Sequence, residues 1–214
     1  MTTLARTLQK NSLPVNAALF IALAVLLVVS PAEATLGNVV KIVYAHGAAE
    51  RISAYAYLLA GGVGLVQLAL NRPALARWTR AITETALVFW LAQFVISLPA
   101  QILAWGGLTW SEPRVAGALW ILLLTVLVYA VALWLDDPSW MAFAAAANAV
   151  IVLVVLRGSI NILHPLNPII GSDSEAIRVF YGAIVLVTGA LAFQFARYRA
   201  GRGANDKRST EWQP

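Results

Sequence analysis

The chain contains no cysteine and only two histidines in 214 residues. The first absence excludes disulfides, thiolate metal ligands, thiol redox chemistry and the CxxCH motif that attaches haem covalently. Charge is scarce too. Only 12% of residues are charged against 60% hydrophobic, and the mean hydropathy of +0.76 is too high for a domain that must coat itself in polar side chains. The composition is that of an integral membrane protein. No Pro-, Gly- or Ser-rich stretch is long enough for a linker, so residues 1–214 read as one domain. Also missing are a catalytic triad, a Walker loop, paired carboxylates and zinc-ligand spacing, so nothing supports enzymatic turnover.

What is present is apolar and long. Six runs reach the ~20 residues that a helix needs to cross a bilayer, at about 13–31, 48–70, 82–104, 115–135, 140–162 and 177–197. They predict an all-α fold, a polytopic six-transmembrane-helix bundle. The first run, with Arg6 and Lys10 before it and Ala32 and Ala34 after it, also has the elements of a secretory signal; its length favours a retained span. Ten of the fifteen basic residues fall on the side of the two chain ends, and Lys41, Arg51, Arg114, Arg157 and Arg178 fall on the other. Because cytoplasmic flanks carry the Lys/Arg excess, both termini are expected inside, in a multi-pass protein of the inner (cytoplasmic) membrane. Topology thereby accounts for the net charge of +5, and no nucleic acid is needed as a partner.

The two histidines, His46 and His164, are separated by four crossings and so return to the same face, the outer one. The segment "WGGLTWSEPR", residues 105–114, lies on that face too. Singly, each has an ordinary reading: a boundary histidine is a polar anchor, and Trp105 and Trp110 suit an aromatic belt. Together they point to a porphyrin. Two imidazoles supply both axial ligands of a haem iron, and indoles offer a flat apolar wall. Propionates need cations, and Arg51, Arg114 and Arg157 belong to the segments carrying these groups; guanidinium forks match carboxylates, although arginines at helix ends also simply snorkel. Glu50, four residues after His46, is placed to accept the other ring N–H and orient the imidazole.

These residues resemble the haem-handling cytochrome c assembly proteins, the CcmC and CcsA branches. The family's tryptophan-rich outer loop is matched by Trp105 and Gly106 at its start and by Pro113 and Arg114 at its end, with Glu112 in place of the family's Asp. Its two histidine contexts are matched by Tyr44-Ala45-His46 and by Asn161-Ile162-Leu163-His164. Thr109 and Ser111 stand where the family has its second and third tryptophans, with Trp110 between them, and the proline that follows the family's first histidine is missing. The resemblance implies six spans, non-covalent haem b held by His46 and His164, and transfer to a haem chaperone or other cytochrome c assembly proteins. Two other readings stay open: a haem-free structural subunit of a larger membrane complex, and a b-type electron carrier.

Within the spans, Gly61, Gly62, Gly64 and the run Ala144 to Ala147 favour close helix packing. Gln67, Glu84, Gln93 and Asn148 form no recognisable relay, and Glu84 is placed to reach the cytoplasmic interface. The expected topology is directly testable because the chain has no native cysteine. A cysteine at Thr109 should react with a membrane-impermeant maleimide added outside and one at Ser209 should not; the opposite pattern inverts the orientation.

Overall fold

The computed structural model describes residues 12–159 and 169–210. Six helices follow one another: α1 Ser12–Val29, α2 Val40–Leu70, α3 Pro73–Trp105, α4 Pro113–Trp134, α5 Pro138–Gly158 and α6 Glu175–Thr210. Among the described residues there is no strand. Helices α2 to α6 are long and apolar enough to cross a bilayer, the mark of a multi-pass membrane protein, whereas the apolar stretch of α1, Leu13–Val29, is shorter. Helix boundaries follow local chemistry. Proline stands at the start of α3, α4 and α5, where its missing N–H costs nothing. Glu112 and Asp137 cap α4 and α5 with their carboxylates, and α3 ends on Gly106 at φ 79°, the left-handed conformation that glycine adopts freely.

Two helices begin well before the predicted spans. Helix α2 starts at Val40 and α3 at Pro73, so His46 and Glu84 are helical residues rather than boundary ones. The α1–α2 turn is held by the Glu33 carboxylate, which accepts from the N–H groups of Leu36 and Thr35 at 2.8 Å each. Those two bonds, the Leu36 one foremost, keep the Glu33 carboxyl below the usual carboxylate range. They favour the turn above that range and lose their effect as pH falls through the lowered value. Lys41 and Tyr44 tie α2 back to the end of α1 through the carbonyls of Val28 and Pro31, at 2.6 and 3.2 Å.

The bundle is apolar outside and partly polar inside. Leu186, Val28, Phe20 and Leu127 project outward, while Ser53, Thr79, Thr83, Gln93, Thr125 and Asn148 are buried. Lipid tails are as apolar as leucine, so helices associate through close backbone approach and hydrogen bonds. Helix α2 meets α5 in that way. A Cβ added at Gly61 would come within 2.7 Å of the Ala149 methyl, and one at Gly64 within 2.8 Å of the Ala142 carbonyl; Gly62 faces open space and takes no part. Gln67 donates to the Pro138 carbonyl at 2.6 Å, Asn148 to the Thr125 carbonyl at 3.4 Å, and Tyr57 pairs with the Thr125 hydroxyl at 3.0 Å.

Glu84 is buried between helices. It is 8% exposed, and its carboxylate accepts from Arg80 at 3.0 Å, from the Tyr129 hydroxyl at 2.6 Å and from Arg199. One acid thus joins α3, α4 and α6 at the end of the bundle remote from the α3–α4 turn. Neutralising it weakens the bonds from Arg199, Tyr129 and Arg80 together, an effect of ~2 kcal/mol for charge-assisted bonds to a buried acid. Glu84→Gln should therefore lower the melting temperature in detergent by about 4–8 °C. Arg80→Ala, at a half-exposed side chain, should cost under ~1 kcal/mol. Equal small shifts in a scanning-fluorimetry melt would show that the acid does not join the three helices.

Candidate cofactor-binding cavity

Helical spacing brings separate polar residues onto one surface. On α2, His46, Gly47, Glu50, Arg51 and Ala54 recur every three or four residues, and on α3 so do Gln93, Ser97 and Gln101, ending at Trp105. Arg114 and Ala118 of α4 and Tyr181 of α6 complete a cavity of about 570 Å³ at the α3–α4 end of the bundle. That volume lies within the range of cofactor pockets, ~300–1,000 Å³. Its inner limit is Trp90, fully buried, whose indole donates to the Ala118 carbonyl at 3.0 Å and meets Tyr57 edge-on with centroids 6.1 Å apart.

His46 is fixed by its neighbour helix. Its Nδ1 lies 3.2 Å from the Gln93 backbone carbonyl; a carbonyl can only accept, so Nδ1 carries a proton, and in the neutral ring the lone pair is on Nε2. Glu50 does not do the orienting expected of it. Its Oε2 stands 3.8 Å from Nε2, beyond hydrogen-bond distance, and its Oε1 takes Arg114 Nη1 at 3.3 Å. The carbonyl-fixed imidazole is the arrangement that metal-ligating histidines use to hold tautomer and ring orientation.

Arg114 owes its place to the residues just before it. Glu112, 1% exposed, accepts from the Val115 N–H at 2.8 Å as the α4 cap, and Pro113 opens the helix. "Glu-Pro-Arg" therefore starts a helix and, in its first turn, aims a guanidinium across to α2. The side chain of Arg114 is 19% exposed. Its Nε is buried without a hydrogen-bond partner, and so is Gln93 Nε2, on a residue only 1% exposed. Arg51 lies over the Tyr181 ring, 5.8 Å from the centroid.

Of the residues singled out in the sequence, His46, Arg51, Trp105 and Arg114 share this cavity. Trp110, 53% exposed, and Arg157, exposed in the last turn of α5, are not among its lining residues. His164 lies outside the described residues. Tyr44, from the Tyr-Ala-His match, is fully buried and packs behind the cavity wall on Tyr181, with centroids 6.1 Å apart, without lining the cavity itself. Glu50's pairing and the cavity role of Gln93 did not emerge from the sequence, although the 93/97/101 polar stripe at one-turn spacing inside an apolar helix was there to be seen.

Among the described residues no group of three or more His, Asp or Glu side chains is placed to hold a bare metal ion. The polar groups lining the cavity include the His46 imidazole, the Arg51 and Arg114 guanidinium groups, the Glu50 carboxylate and the Gln93, Ser97 and Gln101 side chains, set among apolar walls. No family model matches the chain, and no curated protein matches it.

Proposed function

We propose that the protein binds haem b at the outer face of the cytoplasmic membrane and presents it for transfer in cytochrome c biogenesis. In this reading all six helices cross the bilayer, both chain ends are cytoplasmic, and the cavity end faces outward. The observation that carries it is the His46 imidazole, held at Nδ1 by the Gln93 carbonyl and lining a cavity of cofactor size. Haem, when bound, would supply its iron chemistry; the chain's part would be to ligate, orient and shield it. His46 would be one ligand, and His164 is the second that the sequence offers. Arg51 and Arg114 receive acidic groups, Trp105 supplies an apolar wall, and Gln93 keeps the imidazole in register. The match of Trp105, Gly106, Pro113 and Arg114 to the assembly-protein loop supports transfer to a haem chaperone or another assembly protein.

A specific observation favours a second reading, the haem-free structural subunit. Arg114 already has an acidic partner in Glu50, and such a pair can serve only to tie α4 to α2. An optical spectrum of protein purified with added haemin separates the two. The haem reading expects a Soret band that His46→Ala shifts or abolishes while the protein still inserts. Arg114→Gln should weaken retention by about tenfold or more, from loss of a charge-assisted contact of ~1.5–3 kcal/mol. Trp110→Phe, outside the cavity, should leave retention within about twofold of the parent, because an exposed aromatic swap is worth under ~0.5 kcal/mol. A parent protein with no Soret band, or a band indifferent to His46→Ala, sinks the haem reading.

A further inference from the structure

Glu50 stands where a ligand's own acid belongs. Its two oxygens lie 3.3 Å from Arg114 Nη1 and 3.8 Å from His46 Nε2, and all three side chains line the cavity. The cation that would receive a ligand carboxylate is thus engaged by a carboxylate of the chain, which also stands beside the nitrogen meant to ligate. The engagement is partial. Glu50 meets only Nη1, while the buried Arg114 Nε and the buried Gln93 amide nitrogen have no acceptor. Buried donors without acceptors are costly, and a carboxylate can take two parallel bonds from one guanidinium.

We propose that Glu50 is an internal competitor: an amphipathic carboxylate enters the cavity by displacing Glu50 from Arg114, and the same displacement clears the approach to His46 Nε2. This rests on the haem reading for the identity of the ligand, a porphyrin carboxylate, but not for the exchange itself. Replacing one ion pair by another leaves the electrostatic balance nearly level. Net affinity then comes from apolar burial and from satisfying the two orphaned donors. Glu50 returns to Arg114 when the ligand leaves, so the chain itself favours release. Such a site suits a protein that hands its ligand on.

The test uses the full chain in detergent, with metal-free protoporphyrin IX as the free acid and its dimethyl ester as fluorescent probes. Glu50→Gln should bind the free acid about tenfold more tightly than the parent and the ester equally. In the Glu50→Gln/Arg114→Gln double variant the gain should vanish, because the cation that Glu50 engages is gone. Glu50→Asp, which reaches less far, should show a smaller gain of the same kind and covers the case in which the glutamine variant fails to fold. Unchanged or weaker free-acid binding in Glu50→Gln, with ester binding intact, overturns the proposal. So does an equal gain for acid and ester, which would mean a widened cavity, or a failure of the parent to bind either probe. Haemin separates the two readings: a His46-dependent Soret band with no Glu50 effect leaves the haem reading standing alone, and a Glu50 effect on the metal-free acid with no His46-dependent band leaves only the exchange.

Discussion

A helix in a bilayer gains nothing from hiding leucine against another helix, so what holds this bundle together is the set of polar and close-packed contacts that its interior completes. The α2–α5 seam uses glycine against alanine. The remote end uses one carboxylate shared by Arg80, Tyr129 and Arg199, and the middle uses amides and hydroxyls on backbone carbonyls. Each such contact has value because its alternative is an unpaired polar group in hydrocarbon. Some buried polar atoms stay unpaired, Gln67 Oε1, Thr79 Oγ1 and Asn148 Oδ1 among them. At the cavity end, donors on Gln93 and Arg114 are buried and incompletely satisfied, and they are gathered on one surface with an oriented histidine.

The two ends of the bundle therefore treat an acid and its arginines differently. Glu84 is enclosed by three donors from three helices and is set in place by all of them. Glu50 has one cation and a histidine beyond bonding distance, in a wall of open space. The first arrangement fixes helices; the second leaves an acid free to exchange partners. A carboxylate's surroundings, not its presence within a span, separate a fastening from a site.

Helix content and number were legible because apolar runs of spanning length have few other solutions in lipid. The starts of α2 and α3 were missed for a definite reason. Lys41 and His46, and likewise Arg77 and Arg80, lower the local hydropathy below what a spanning criterion accepts, yet the helices accommodate them: Lys41 donates to the Val28 carbonyl, His46 lines the cavity and Arg80 meets Glu84. His46, Arg51, Trp105 and Arg114 were found because their side-chain chemistry is rare in this chain. Trp110 and Arg157 were grouped with them by loop membership alone, and loop membership does not set direction. The pairing of Glu50 with Arg114 joins residues far apart in sequence, through a helix start whose geometry comes from Glu112 and Pro113. Spacing along a single helix cannot reveal it.

The helices differ in length, and that difference has its own consequence. At 1.5 Å per residue, α2 with 31 residues and α3 with 33 extend about 47 and 50 Å, whereas α4 with 22 and α5 with 21 extend about 33 and 32 Å. The shorter pair fits a ~30 Å hydrocarbon slab nearly upright. The longer pair must tilt steeply or project beyond it, and tilts above ~40° are outside the usual range. A slab centred on α2 leaves about 8 Å of helix beyond each surface, and His46 lies about 9 Å along α2 from Val40. With the slab so centred, the His46 imidazole falls near the level at which hydrocarbon gives way to headgroups, a depth that follows from helix length alone.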